Sequence, residues 1–379
     1  MPHFKYLISS ISRWSNLLRS IAGTWWGSHP SSLLLIFKAL IRSKVDYGSF
    51  LYASASTVHR KKINSLLAAC LRTIIGAVYS TPNMSLEVEC VCPPIEIRSR
   101  YLAYKFLLKQ ISSPAKLIFH CFHSLSSLWR YVPKTLPLLA SISTTLIPYL
   151  NSIITSINRL PIYDIPFHAL THFPKIHFNH LFLSYSKPQL QSLPINFVNY
   201  LFDELISSRF ANYCLIFTDG SVYTNSAGFS FFIPSLNINF SDNLPSKACS
   251  FTTESYAISS ALEFVKSLNI INILIVSDSL SVLSSLSSVP FKKSRSFLTI
   301  KIKALIYSLY LMDINVEFLW CPSHVGISGN EIADHLAKLT NSFNRPPILK
   351  IPSSDLLSSF HPTINKAWQD KWSNFSLAN

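Results

Sequence analysis

No pair of cysteines in this chain stands at Cys-x-x-Cys spacing. The seven present, at 70, 90, 92, 121, 214, 249 and 321, are odd in number and irregular in spacing. That excludes a secreted disulfide framework and offers no Cys/His ligand set for zinc, so a reducing compartment is expected. A secretory signal is also lacking, because Lys5, Arg13 and Arg19 interrupt every apolar run at the N-terminus. One interval, between Lys134 and Arg159, carries no charge for 24 residues, yet only 12 of them are apolar and Pro137, Pro148 and Asn151 break it up. A membrane-spanning helix wants about 20 predominantly apolar residues, so no membrane partner is expected.

Acidic residues are few, 18 against 33 Lys/Arg, giving a formal net charge of +15. The excess is concentrated at one end. Residues 1–120 hold 15 Lys/Arg against 4 Asp/Glu, whereas residues 210–345 balance at 9 against 9. A basic N-terminal third points to a polyanionic partner such as nucleic acid. The balanced stretch carries half of all the acids, which therefore serve some other purpose. Glycine is scarcer still, and its eight occurrences divide the chain: four before residue 80, four after 219 and none between.

The basic part reads as helical. In "TVHRKKINSLLAACLRTIIGA" Ile63, Leu66, Leu67, Cys70, Leu71 and Ile74 recur at three- and four-residue steps, with Arg60, Lys61 and Lys62 at the start and Gly76 at the end. "PSSLLLIFKALIRSKVDYG" has a similar stripe, with Lys38 and Arg42 one turn apart. Residues 111–210 are rich in Pro, Ser, Ile and His and read as a connection.

From residue 213 the texture changes. "YCLIFTDG", "AGFSFFIP", "LNINFSDN", "INILIVSDS" and "NVEFLWCPSH" read as strands, and "TTESYAISSALEFVKSL", "KSRSFLTIKIKALIYSLYLMD" and the stretch after "PSHVGISGN" as helices. Three strands, a helix, then alternating strands and helices predict an α/β fold with a mixed sheet covered by helices. Four acids sit where an acid is expensive. Asp219 and Asp278 each end an apolar strand. Glu254 lies on the helical stripe of Ala257, Ile258, Ala261 and Val265, and Asp334 borders that of Ile332, Ala333, Leu336 and Ala337. Each has an ordinary alternative: a turn before Gly220, a helix cap, a pairing with Lys266, a response to the helix dipole. Together, four acids at one end of a sheet without basic partners would repel one another unless divalent cations neutralise them, and oxygen-only ligands suit Mg²⁺ or Mn²⁺.

"FTDGS", "TTESYAISSALE", "IVSDS" and "PSHVGISGNEIADHLAK" resemble the four ordered motifs of type-1 ribonuclease H, over residues 211–342. In detail they are similar to the domain in jockey-like, insect-type non-LTR retrotransposon reverse transcriptase polyproteins. The resemblance implies a five-stranded mixed sheet flanked by helices and an Asp–Glu–Asp–Asp site for two Mg²⁺ ions, with Mn²⁺ able to substitute. Asp219, Glu254, Asp278 and Asp334 match the four metal-binding catalytic positions, and His324 matches the histidine of a mobile loop used in proton transfer or product release. Gly326 and Gly329 would let that loop move. The implied activity is hydrolysis of the RNA strand of RNA–DNA hybrids, with hybrid contacts at Gly220 and Ser221. The charge of the basic region, in turn, would supply phosphate contacts at Lys38, Arg42, Arg60, Lys61 and Lys62.

Residues 1–110 are similar to the same polyproteins' thumb, on "LLRSIAGTWWGSHPSSLLLIFKALIRSKVDYGSFLYASAS" and "LRTIIGAVYSTPNMSLEVE". Departures from the pattern matter. There is no Asp-Asp pair, so polymerase activity is not expected; the link after Ser288 leaves no room for a basic handle; and residues 343–379 read as a truncated tail. The competing reading is a catalytically inactive nucleic-acid-binding remnant.

Overall fold

A computed structural model describes residues 2–23, 27–53, 57–112, 117–128, 137–154, 167–178, 187–268, 270–288 and 296–377. The chain forms two compact units. The first comprises residues 1–111, 115–150 and 357–379 and is helical. Its helices Pro2–Ile21 and Thr57–Ile75 bury Leu7, Ile11, Leu18, Ile63, Leu67, Leu71 and Ile74 in one core with Phe37 and Ile41. Gly76, at φ +66°, ends the second helix in the left-handed conformation that costs a residue without Cβ least. Among the described residues no helix is long and apolar enough to cross a membrane.

The second unit, residues 112–114 and 151–356, is built on a mixed sheet of six strands. These are β1 (Lys175–Phe178), β2 (Cys214–Val222), β3 (Ala227–Ile233), β4 (Ile238–Leu244), β5 (Asn272–Ser277) and β6 (Asn315–Trp320), in the order β1-β6-β5-β2-β3-β4. The first four in that order run parallel, and β2, β3 and β4 form an antiparallel meander. Because side chains alternate along a strand, each central strand feeds two cores. Ile216, Ile273, Ile275 and Phe318 face the helices Ser250–Val265, Leu280–Ser287 and Phe297–Tyr310, against Ile258, Leu262, Val282 and Ile302. Phe217, Leu274, Val276 and Leu319 face the opposite way, onto Val198, Phe202 and Leu205 of helix Ile195–Arg209 and Ala333 of helix Ser328–Leu339.

The sheet has one strand more than the five expected. The extra strand, β1, comes from the stretch read as a connection. It pairs in parallel with β6, and its alternation explains its place: Ile176 and Phe178 join the core, while Lys175 and His177 reach Glu317. Glu317 is buried in mid-strand, and burial alone would raise its pKa. Bonds from His177 (2.6 Å), Lys175 (3.2 Å) and Tyr213 (3.0 Å) outweigh this and hold the carboxyl below its ordinary value. A charge in the middle of a strand is thus what β1 is anchored to. The helix expected over residues 293–313 is described from Phe297 to Tyr310, with the Ser296 side chain capping it; residues 289–295, including the expected start, lie outside the described residues.

Candidate active site

The parallel register of β2 and β5 ends on Thr218 opposite Ser277. The next residues, Asp219 and Asp278, are thereby side by side where the parallel pairing stops, the customary place for a ligand in such sheets. Asp278 lies just past the end of β5, but Asp219 does not end its strand as expected, since β2 runs on to Val222 against β3. Helix Ser250–Val265 brings Glu254 to them. Its approach depends on Gly220, since a Cβ there would stand 2.5 Å from the backbone nitrogen of Glu254 and from Thr253 Oγ1. The Gly220 N–H, in turn, donates to the Glu254 carboxylate. Carboxylate oxygens of Asp219, Glu254 and Asp278 all lie within 4.8 Å of one another.

Asp334 comes from helix Ser328–Leu339 and lines the same cavity of about 470 Å³, together with His324, Ser221 and Lys338. His324 Nδ1 is 4.0 Å from Asp334 Oδ2, and the imidazole is half exposed at the rim. Ligating atoms of His324, Glu331 and Asp334 form a second group within 4.8 Å. The four acids expected at the site and the histidine therefore converge. One expectation is corrected: the acids do not all lack a basic partner. The Lys338 ammonium bonds the Asp334 carboxylate from one helical turn away, which holds the lysine above its ordinary pKa. Glu254, by contrast, gains no lysine: its Oε2 is buried with no hydrogen-bond partner among the described residues. Helix Leu280–Ser287 starts at Ser279 with no side-chain cap bond.

Electrostatics follow from this crowding. Burial first, then the charges of Asp278 and Asp334, push the Asp219 carboxyl from 3.8 up to about 8. Burial, then Asp219 and Asp278, push Glu254 well above its ordinary value. Without a cation, this cluster keeps protons at neutral pH. An orphaned, desolvated carboxylate oxygen beside two further carboxylates in an open cavity is a donor set that fits a hard divalent cation. Cys321, the nearby thiol, is fully buried, its Sγ faces Asn330, and burial pushes its pKa well up, so it offers no soft ligand.

The loop that carries His324 is held by Glu331, an acid of the following helix's first turn, and by two residues that the sequence did not single out. Glu331 accepts from the Gly326 N–H (3.2 Å). Asn199, on helix Ile195–Arg209, donates to Gly326 O (2.8 Å) and accepts from Ser328 N–H (3.1 Å), and Gln191 donates to His324 O (3.3 Å). The two loop glycines have reasons other than mobility. A Cβ on Gly329 would enter the Phe217 ring at 2.3 Å, and Gly326 sits at φ +91° with Ile195 against it. No motif marks Asn199 or Gln191; Lys338, four residues after Asp334, was readable as a helical ion pair.

The expected phosphate-binding residues of the basic region fare unequally. Lys38, Lys61 and Lys62 are exposed. Arg42 is turned inward, bonded to Asp46 (3.0 Å) and to Pro93 O (2.9 Å), with Arg98 on the other Asp46 oxygen. Arg60 is half-buried, and its Nε has no partner among the described residues.

No curated protein matches the chain. Among solved structures it is similar to RNase H1 from the halophilic archaeon Halobacterium salinarum NRC-1, at 19% sequence identity and a TM-score of 0.27, covering 34% of this chain and 97% of that one. Strands β2 to β6 and the cluster of carboxylates, though not β1, fall within the stretch that a family model recognises: residues 211–342 match RNase H.

Proposed function

We propose that residues 211–342 form a divalent-cation-dependent endonuclease that cuts the RNA strand of RNA–DNA hybrids, in a chain derived from a non-LTR retrotransposon polyprotein. What carries the reading is the convergence of Asp219, Glu254 and Asp278 within 4.8 Å around an orphaned Glu254 oxygen. The RNase H match over the same residues supports the substrate class.

Asp219, Glu254, Asp278 and Asp334 would hold two Mg²⁺ ions, which when bound supply Lewis-acid activation of water and neutralise charge on the leaving oxygen. The chain's own contribution is positional. Glu254, held by the Gly220 N–H and by the close crossing of its helix over β2, fixes the floor of the cavity. Asp219 and Asp278 set the spacing of the ligands through their strand register. His324 at the rim, 4.0 Å from Asp334, is placed to take or return a proton at a ring nitrogen as the strand is cut. Ser221, lining the cavity, is placed to meet a ribose 2′-hydroxyl, the group by which RNA is told from DNA. Lys38, Lys61 and Lys62, exposed on the helical unit, would contact phosphates.

The test is cleavage of an end-labelled hybrid by the purified chain with and without Mg²⁺, beside single-stranded RNA, duplex RNA and duplex DNA. Cutting confined to the RNA of the hybrid and dependent on the cation supports the reading. Binding to hybrid with no cutting under any cation would instead favour the inactive remnant.

A further inference from the structure

Helix Ile195–Arg209 ends before the stretch that matches RNase H, yet the loop bearing His324 is fastened to it. His324 occupies left-handed backbone space at φ +54°, a conformation that a side-chain-bearing residue holds only when its surroundings fix it. The fixing bonds are on both sides of it. Gln191 takes the His324 carbonyl, while Asn199 uses both ends of its amide: the NH₂ on Gly326 O at 2.8 Å and on Ile195 O of its own helix at 3.0 Å, the oxygen on Ser328 N–H at 3.1 Å. Ile195 closes against Gly326, where a Cβ would come within 3.0 Å of Cγ2. Val325 and Ile327 are buried in one core with Val198 and Phe202 of the same helix.

We propose that Asn199 is a positioning residue for the reaction: it clamps the 324–328 loop in the one conformation that presents the imidazole to Asp334. The site is therefore completed by a helix outside the matched domain. This rests on the reading of residues 211–342 as a nuclease, and goes beyond it in assigning a role to a residue that the family match does not reach. The clamp is specific in a way that apolar packing is not. An amide has both a donor and an acceptor, and the loop presents a carbonyl and an N–H two residues apart to receive them.

The experiment uses the full chain with Asn199→Ala, Asn199→Asp and His324→Ala, singly and with Asn199→Ala and His324→Ala combined. Two readouts are taken: hydrogen exchange of the 322–329 peptide without substrate, and kcat and KM on a hybrid. Asn199→Ala should speed exchange at the Ser328 amide tenfold or more and lower kcat about tenfold, with KM changed less than twofold. Asn199→Asp keeps the acceptor but not the donor, so the Ser328 amide should stay protected while kcat falls part of the way. In the His324→Ala background, Asn199→Ala should cost nothing further, because it acts through the imidazole.

Unchanged exchange in the loop overturns the proposal, as does a kcat loss of equal size with and without His324, which would mark a general structural defect. If Asn199→Ala loses protection throughout the sheet, the Asn199→Asp chain decides alone. A protected Ser328 amide with reduced kcat upholds the clamp, and wild-type kcat refutes it. Should the wild-type chain cut no hybrid at all, the nuclease reading falls while the exchange data still decide whether Asn199 holds the loop.

Discussion

Replacing Asp219 by asparagine should make the cation-free protein more stable at alkaline pH and somewhat less stable in acid. The carboxyl titrates at 3.8 when exposed and at about 8 in the folded chain. Below pH 4 it is protonated folded or unfolded and contributes nothing. Between pH 4 and 8 the unfolded chain gives up this proton and the folded chain does not, so folding loses about 1.4 kcal/mol per pH unit. Above pH 8 both states are ionised and the loss has levelled off, at roughly 5–6 kcal/mol. Lys338 recovers a part of this, already contained in the value of about 8. The asparagine amide is buried in its turn and leaves hydrogen bonds unmet, at about 1–3 kcal/mol. A net gain of about 2–5 kcal/mol at pH 8 in chelator is expected, giving way by pH 4 to a loss of about 1–3 kcal/mol. Urea titration read by hydrogen exchange of β2 and β5 peptides reports this unit alone. Saturating Mg²⁺ should shrink or cancel the difference: at a hundred times Kd a bound ligand stabilises by about 2.7 kcal/mol, and the variant has lost one of the ligands. If Asp219→Asn is no more stable than the parent at pH 8, or its gain is as large at pH 4, the carboxyl is not held protonated by burial and its neighbours.

Cutting should require a divalent cation, with Mn²⁺ replacing Mg²⁺ and chelator abolishing it; activity surviving in chelator would remove the role given to the carboxylates. Asp278→Asn should reduce kcat by 10³-fold or more while circular dichroism stays that of the parent, and a variant cutting at the parental rate would return Asp278 to a part in the turn before Leu280. Replacing Arg60, Lys61 and Lys62 together by alanine should lower the slope of log K for hybrid binding against log salt by about 1–3, since each lost phosphate contact removes roughly one released counterion. An unchanged slope in filter-binding or anisotropy titrations would show that these residues meet no phosphate.

Most of the sheet was legible because its strands are short apolar runs with an alternation that feeds two cores. Glu254 betrayed itself by interrupting an apolar helical stripe, and Asp219 and Asp278 by closing apolar runs, although β2 itself continues past Asp219 to Val222. What escaped was whatever depends on contacts between distant parts of the chain. β1 is four residues, "KIHF", whose identity as a strand needs the edge of β6 and the buried Glu317, some 140 residues later, to become visible. Glu317 itself was a signal left unused, a charge in the middle of "NVEFLW". Asn199 reaches Gly326 across 127 positions, and no local pattern distinguishes it from an ordinary helical asparagine. The loop glycines were correctly found to be special, but for a reason that only packing supplies: Gly329 makes room for the Phe217 ring, and Gly326 for Ile195.

Trp320 ends β6, and its indole N–H donates to the carbonyl of Asp278 at 3.2 Å. It is the single tryptophan between residues 151 and 356, the other six falling at 14, 25, 26, 129, 368 and 372. The molecule thus carries its own fluorophore one hydrogen bond from the candidate catalytic centre. With those six changed to phenylalanine, the emission of Trp320 would respond to the field around Asp278 as protons leave or cations enter. The occupancy of the carboxylates could then be followed optically, in real time and without any nucleic acid present.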